Sequence, residues 1–385
     1  MTGSEKLREE EIRTQFLSNV RFKAETMRGL TVLFTESSRN FGGQERRLLA
    51  EARLMIEAGH RAEIACPRES ALFGRAVSAG VPVHPVPMRS SLWPPALVSL
   101  LALLIKLKPD VIYSHSGHDS WLGGITGTLT GTPLVRCRDL LTPVRSRTAY
   151  MLPRRVLACS GAVKKQLVDA GVPEDKIFVS YPHIDTARFS RVDEASRAAV
   201  RRELNLGGRF PVVFCAGEFR PEKRQEDLVR AMELILPEFP SALLVLAGRG
   251  RRMEAVREIA RESGVEERVR FLGEREDIPA LLSAADIYAF PSDIEPFGMA
   301  PVEAMAAGVP VVASGTGGLV EILEDGKYGI SVPPRSPEAI AAAIARLARD
   351  EALRKSLSAA GRKRAGLFDS GIAIERLTGH FREVV

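Results

Sequence analysis

Twice along its 385 residues the chain repeats one rhythm, a short apolar run followed by a stretch with helical period. The rhythm restarts at Val212-Val-Phe-Cys-Ala-Gly-Glu. Runs of this length and content read as strands buried on both faces. In the first half they fall near 31–36, 61–66, 82–86, 110–115, 133–137, 155–159 and 177–181. In the second half they fall near 211–216, 242–247, 269–272, 286–290, 309–313 and 328–332. Helical patterns, for example 44–58, 225–236 and 337–347, separate most of them. Such alternation implies parallel sheets with helices on both faces and ligands at the carboxyl ends of the strands. The length exceeds what one core supports. The reading is therefore α/β, with two Rossmann-like, doubly wound parallel-sheet domains facing a central cleft. Residues 30–190 form the first domain, 191–209 an Arg-rich linker and 210–365 the second. Residues 1–29 form an N-terminal extension in which Leu7, Ile12, Phe16, Leu17, Val20 and Met27 have roughly helical spacing. Packing on the body, lying on a membrane and an ordinary surface helix all suit that pattern.

Composition excludes several classes. Hydrophobic content of 45% and charged content of 26% describe an ordinary soluble protein. The longest apolar stretch, 96–105 broken by Ser99, is too short to span a bilayer, and the charged N-terminus is no secretory signal. Cys66, Cys137, Cys159 and Cys215 lie scattered in strand-like runs, as buried thiols of a reducing, cytoplasmic compartment would. The net charge of +6 is uneven. Between residues 136 and 165 stand Arg136, Arg138, Arg145, Arg147, Arg154, Arg155, Lys164 and Lys165 against the single acid Asp139. An anionic membrane surface, a phosphorylated acceptor or a merely solvated face would each suit this patch. Nucleic acid is disfavoured, because no binding motif accompanies the charge.

The densest constellation is Phe290-Pro-Ser-Asp-Ile-Glu295-Pro-Phe297-Gly298-Met299-Ala-Pro-Val-Glu303-Ala-Met-Ala-Ala-Gly-Val-Pro. A strand here runs into a helix, so the amides of Phe297, Gly298 and Met299 lie at a helix start, where anions bind. Glu295 and Glu303 would repel a phosphate but suit sugar hydroxyls, so the string describes a nucleotide-sugar: phosphate in the middle, a polyol at each end. Taken singly, Glu303 could instead be an ordinary first-turn helix residue and Glu295 a plain loop residue.

The whole string resembles the Glu-x7-Glu segment of the retaining family 4 glycosyltransferases, which have the GT-B architecture. Further motifs fit the resemblance, which covers about residues 30–380. Phe41-Gly42-Gly43-Gln44-Glu45 resembles the family's Gly-Gly-x-Glu loop, facing donor phosphates and acceptor; a tight strand–helix turn is the plain alternative. His115, after the fourth strand, takes the place of the histidine near the transferred sugar. His118 and Asp119 are open, Asp119 being equally suited to N-cap the next helix. Gly217-Glu218-Phe219-Arg220-Pro-Glu-Lys223 resembles a Gly-Arg…Lys phosphate site, but Glu218 stands at the Arg position. Residues 218 and 220 of an extended segment point the same way, so Arg220 could supply the missing cation; a solvated charged loop is the alternative. Gly248 and Gly273 end successive strands and allow backbone contact with a nucleotide. Gly315-Thr-Gly-Gly318 with Glu321 resembles the family's Gly-Gly-x-x-Glu turn.

The resemblance implies a metal-independent retaining hexosyltransferase. It would use a UDP- or GDP-sugar donor and a saccharide acceptor, such as a lipid-linked or lipopolysaccharide or polysaccharide precursor. Lys223, Arg220 and the 297–299 amides would stabilise the leaving diphosphate. Glu295 would hold sugar hydroxyls, Glu303 the ribose diol, and His115 would position the sugar. No cofactor or metal is expected, since no Asp-x-Asp pair or His/Cys cluster occurs. The resemblance also implies that residues 366–385 form a helix crossing back to the first domain. Leu92-Trp93 and the apolar run after them suit contact with the inner membrane face, or a buried helix. A nucleotide-sugar 2-epimerase and a non-catalytic sugar-nucleotide binding protein remain as alternatives.

Overall fold

A computed structural model describes residues 29–385, so the 1–28 part of the proposed N-terminal helix lies outside the described residues. The first sheet has seven parallel strands: β1 Thr31–Thr35, β2 Arg61–Cys66, β3 Val83–Pro85, β4 Val111–Ser114, β5 Leu134–Arg138, β6 Arg155–Ala158 and β7 Ile177–Val179. Their order is β3-β2-β1-β4-β5-β6-β7. The second has six: β8 Val212–Ala216, β9 Leu243–Ala247, β10 Val269–Phe271, β11 Ile287–Phe290, β12 Val311–Ser314 and β13 Ile330–Val332, in the order β10-β9-β8-β11-β12-β13. In each sheet the order reverses beside the first strand, at β1/β4 and β8/β11. That switch point opens a crevice at the carboxyl ends, where such folds bind ligands.

The strands form because their runs are apolar on both faces; β8 and β9 are buried at every position. Helices cover both faces and define separate cores. Val32, Phe34, Ile64, Tyr113 and Val135 share one core of the first domain, and Leu33, Leu100, Ile112 and Leu122 the other. All four cysteines are buried free thiols.

The linker lies elsewhere than composition indicated. Within 191–209 the helix Glu194–Glu203 packs against the helix Ile278–Ala284, and Thr186–Ser190, assigned above to the first domain, packs against Met299–Ala307, so both belong to the second domain's shell. The chain crosses at residue 184 and returns at 369. The two crossings lie side by side, the Ile184 amide donating to the Phe368 carbonyl at 2.8 Å and the Ser370 amide to the Ile184 carbonyl at 3.1 Å. The returning helix Ser370–Arg382 packs on the first domain. Phe381 meets Tyr113 edge-on at 5.0 Å and Leu377 joins the same core.

Candidate functional site

Three glycines form the second domain's side of the crevice. Gly217 follows β8, and its amide donates to the Ala247 carbonyl at 2.9 Å; Gly248 follows β9 and donates to the Gly273 carbonyl at 2.7 Å. Gly248 has φ +138°, and a Cβ there would sit 2.0 Å from the Gly217 carbonyl oxygen. No side chain fits, so the strand ends stay backbone-lined and open to a flat ligand.

Across the switch point, Lys223 and Glu295 meet. The Lys223 ammonium lies 2.5 Å from a Glu295 carboxylate oxygen and 4.9 Å from the centre of the Phe290 ring. Glu295 is buried, with 8% exposure, and its own carbonyl accepts from the Gly318 amide at 2.9 Å. The Thr316-Gly-Gly turn thereby fixes the Glu295 backbone. Gly317 could not be another residue without its Cβ meeting that carbonyl at 2.0 Å.

Just beyond, the helix Met299–Ala307 begins at Gly298, whose φ of +115° and contact with Leu319 require glycine. No side chain caps this helix, so its first amides are left for a ligand. The Phe297 side chain is turned inward against Tyr181 and Phe368. Glu303 stands in the second turn and not the first, which removes the helix dipole as its plain explanation. It faces a cavity of about 340 Å³ at the domain junction, also lined by Arg53, His183, Arg188 and Met299. Burial pushes the Glu303 carboxyl up to about 7, against the pull of Arg188.

Arg220 departs from its expected role. Its guanidinium is held 2.6 Å from Glu218 and 4.0 Å from Glu222, so two carboxylates already surround this cation.

In the first domain, Gly42 caps the helix Gly43–Glu57, and its amide donates to Glu45 at 2.7 Å; the glutamate of this loop is a structural cap. His115 lies beyond β4, buried between Phe34 and Tyr113. Its Nδ1 lies 3.3 Å from the Thr35 carbonyl and its Nε2 is buried without a partner. Burial pushes its pKa down to about 4, so the imidazole is neutral. Asp119 is not the N-cap. Ser116 is, and Asp119 sits three residues on, accepting from the His115 and Ser116 amides at 2.9 and 3.0 Å. His118 is exposed and pairs with Ser91.

Sequence reasoning missed Glu36. This fully buried carboxyl accepts from the Ser38 amide at 2.8 Å, from Gln44 Nε2 at 2.6 Å and from the Ser116 hydroxyl. It ties the Gly42–Gly43 loop to the His115 loop. A charged residue directly at a strand's carboxyl end was the available signal. Arg47 was missed too; it is buried and paired with Glu51 at 2.7 Å and Asp139 at 2.6 Å. Glu321 joins the domains, accepting from the Ala162 amide at 3.1 Å and the Tyr181 hydroxyl at 3.0 Å.

Comparison with known proteins bears on this arrangement. A model described as Glycosyltransferase Family 4 matches residues 41–188, and one described as Glycosyl transferases group 1 matches 196–364. A D-inositol 3-phosphate glycosyltransferase of Salinispora arenicola is 31% identical over 313 residues, covering 72% of this chain and 69% of that protein. The chain belongs to the family 4 glycosyltransferases. Within this family it is also 38% identical, over 191 residues, to a GDP-mannose-dependent alpha-(1-6)-phosphatidylinositol monomannoside mannosyltransferase of Mycobacterium tuberculosis. That match covers 47% of this chain, which thus spans about half, 49%, of the relative's length. Among solved structures, Anabaena Alr3699/HepE in complex with UDP has a TM-score of 0.83 at 25% identity, covering 92% of this chain and all of that one. The GT-B architecture of the family is the one described above. Among the described residues, no helix of the chain is long and apolar enough to cross a membrane.

Proposed function

We propose that this family 4 glycosyltransferase moves a hexose from a UDP- or GDP-sugar to an acceptor, with retention at the anomeric carbon and without a metal ion. The observation that carries the reading is the Lys223–Glu295 pair at 2.5 Å beside the uncapped start of the helix Met299–Ala307. A sugar diphosphate laid across it meets a carboxylate for its hydroxyls, then a cation and backbone amides for its phosphates. Preorganised positive charge aimed at a leaving diphosphate commonly contributes more to such catalysis than any other single effect. Glu303 takes the ribose diol, and the open edge at Gly217, Gly248 and Gly273 takes the nucleobase and phosphates. Neutral His115 orients the sugar from the first domain through the Gly42–Gly43 side of the crevice. The departing phosphate oxygen accepts the acceptor's proton on the face it leaves, which keeps the configuration.

For the acceptor, we favour an anionic or lipid-linked saccharide precursor at the inner face of the membrane. Two relatives carry in their names a phosphatidylinositol glycoside and an inositol phosphate. Within the basic stretch 136–165, Arg145, Arg147 and Arg154 are exposed and suit such a partner, whereas Arg136 is buried and Arg155, Lys164 and Lys165 already pair with Glu383, Glu174 and Asp169.

Incubation with UDP-glucose and with GDP-mannose, in the presence of a chelator, tests the reading. Release of nucleoside diphosphate and of a sugar with the donor's anomeric configuration is expected. An inverted product would remove the retaining mechanism, and loss of turnover on chelation would remove metal independence. One observation favours a second reading: the engagement of Arg220 by Glu218 weakens the phosphate site. Tight donor binding without any turnover would make this a binding protein.

A further inference from the structure

The helix Pro94–Leu107 buries Ala96, Leu100 and Leu104 against the first sheet, but its other side is apolar as well. Val98 is 67% exposed and Ile105 61%, with Leu92 and Trp93 exposed ahead of the helix. At its far end Ile105 lines an open groove of about 740 Å³ with Leu101, Leu129 and Val385. Six of the fourteen exposed large hydrophobics among the described residues therefore lie in this one region. Scattered surface hydrophobics need no explanation, but a continuous stripe does. The expectation of a buried helix holds for one face only.

Charge decides what covers the other. No Asp or Glu occurs between Glu69 and Asp110, whereas Arg75, Arg89, Lys106 and Lys108 do. The neighbouring helix Gly117–Thr130 has one acid, Asp119, and it is fully buried. Lys106 and Lys108 are exposed at the foot of the stripe, where the acid that lines the groove, Asp110, accepts from the Thr31 amide at 2.7 Å. We infer that this face docks on an anionic phospholipid bilayer, with the helix Pro94–Leu107 lying along the headgroup boundary. Apolar side chains that enter the acyl margin beside cations that stay with phosphates are what such a surface selects. A second copy of the chain would bring the same cations against each other. The stripe starts at the crevice side of the sheet, where Ser91 hydrogen-bonds His118 at 2.9 Å beside the His115 loop. Docking would therefore bring the crevice toward the bilayer; only this link to a lipid acceptor rests on the proposed function.

The test is co-sedimentation of the full chain with phosphatidylcholine vesicles, alone or with about a third phosphatidylglycerol, at low and high salt. Binding to the anionic vesicles, weakened by salt, is expected. The double variant Val98→Asp/Ile105→Asp should bind at least about tenfold more weakly, and Lys106→Glu/Lys108→Glu should lose the preference for anionic lipid. Both pairs are exposed, so unchanged melting temperatures and donor turnover show that the fold and the crevice are intact. Absence of binding by the wild type, or binding that the Asp variant leaves unchanged, overturns the inference. So does a wild-type dimer that the Asp variant dissociates, since a second copy would then cover the face.

Discussion

Replacing Glu36 with Gln removes a buried charge while keeping atoms that can fill its hydrogen-bonding positions. The carboxyl has no exposed surface, and burial beside Asp119 pushes its pKa from 4.5 up to about 8. The folded chain thus holds a proton that the unfolded chain gives up above 4.5. Stability from this group is undiminished below 4.5, falls as pH rises, and is fully lost above about 8. The gap amounts to roughly 5 kcal/mol at full deprotonation. Asp119, raised by burial from 3.8 to about 6, adds a loss of the same sign at lower pH. Glu36→Gln is neutral throughout. Its carbonyl can accept from Ser38 and Ser116, and the Gln44 amide can turn its oxygen toward the new NH2. The variant should match the wild type near pH 5 and exceed it by roughly 3–5 kcal/mol near pH 9. Denaturant unfolding across that range, followed by far-UV circular dichroism, reads the difference. Parallel pH profiles for the two proteins would show that Glu36 is ionised in the native state, and the reasoning would fail.

Three further outcomes are expected. Lys223→Met should lower kcat by about 10²- to 10³-fold with a smaller change in donor Kd, as for removal of a charge that meets the leaving group; an unchanged kcat in donor turnover rejects the role. Glu303 is raised to about 7, so if its carboxylate accepts the ribose diol, donor affinity should tighten as pH rises through that value. Glu303→Gln should bind more weakly with a flat pH profile, and titration calorimetry with UDP and GDP distinguishes the two. Gly248→Ala should cost about 2–4 kcal/mol through backbone overlap and strain, visible as a lower melting temperature; a variant as stable as wild type would show that the Gly217 loop yields.

All thirteen strands were legible because strands buried on both faces leave continuous apolar runs. Their ends were less so: the 328–332 run pairs only from Ile330, since Tyr328 belongs to the preceding turn. The linker misled for a related reason. The helix Glu194–Glu203 buries only Val200, and a helix held by so narrow a stripe reads as polar connector. The double-glutamate string was visible because its glycines and prolines encode a specific turn. Glu36 was not, because its partners Gln44 and Ser116 are 8 and 80 residues away in sequence. Its place at a strand's carboxyl end was the one local cue, and the link it makes to the His115 loop exists only once the sheet brings Ser116 beside it.

The same limit explains Arg220. Alternation places residues 218 and 220 on one side of an extended segment, which suggested that the arginine could replace the cation absent at 218. Yet the geometry that would let Arg220 reach the phosphate also lets Glu218 reach Arg220, and the two meet at 2.6 Å. With Glu222 near the same guanidinium, the trio carries two negative charges to one positive. A diphosphate arriving there gains attraction only by breaking a charge-assisted hydrogen bond that is already made. Lys223 has one carboxylate partner, Glu295, which on the proposed reading would turn to sugar hydroxyls as the donor binds. On that same reading, the positive charge that meets the leaving group would therefore come from Lys223 and from the amides at the start of the helix Met299–Ala307.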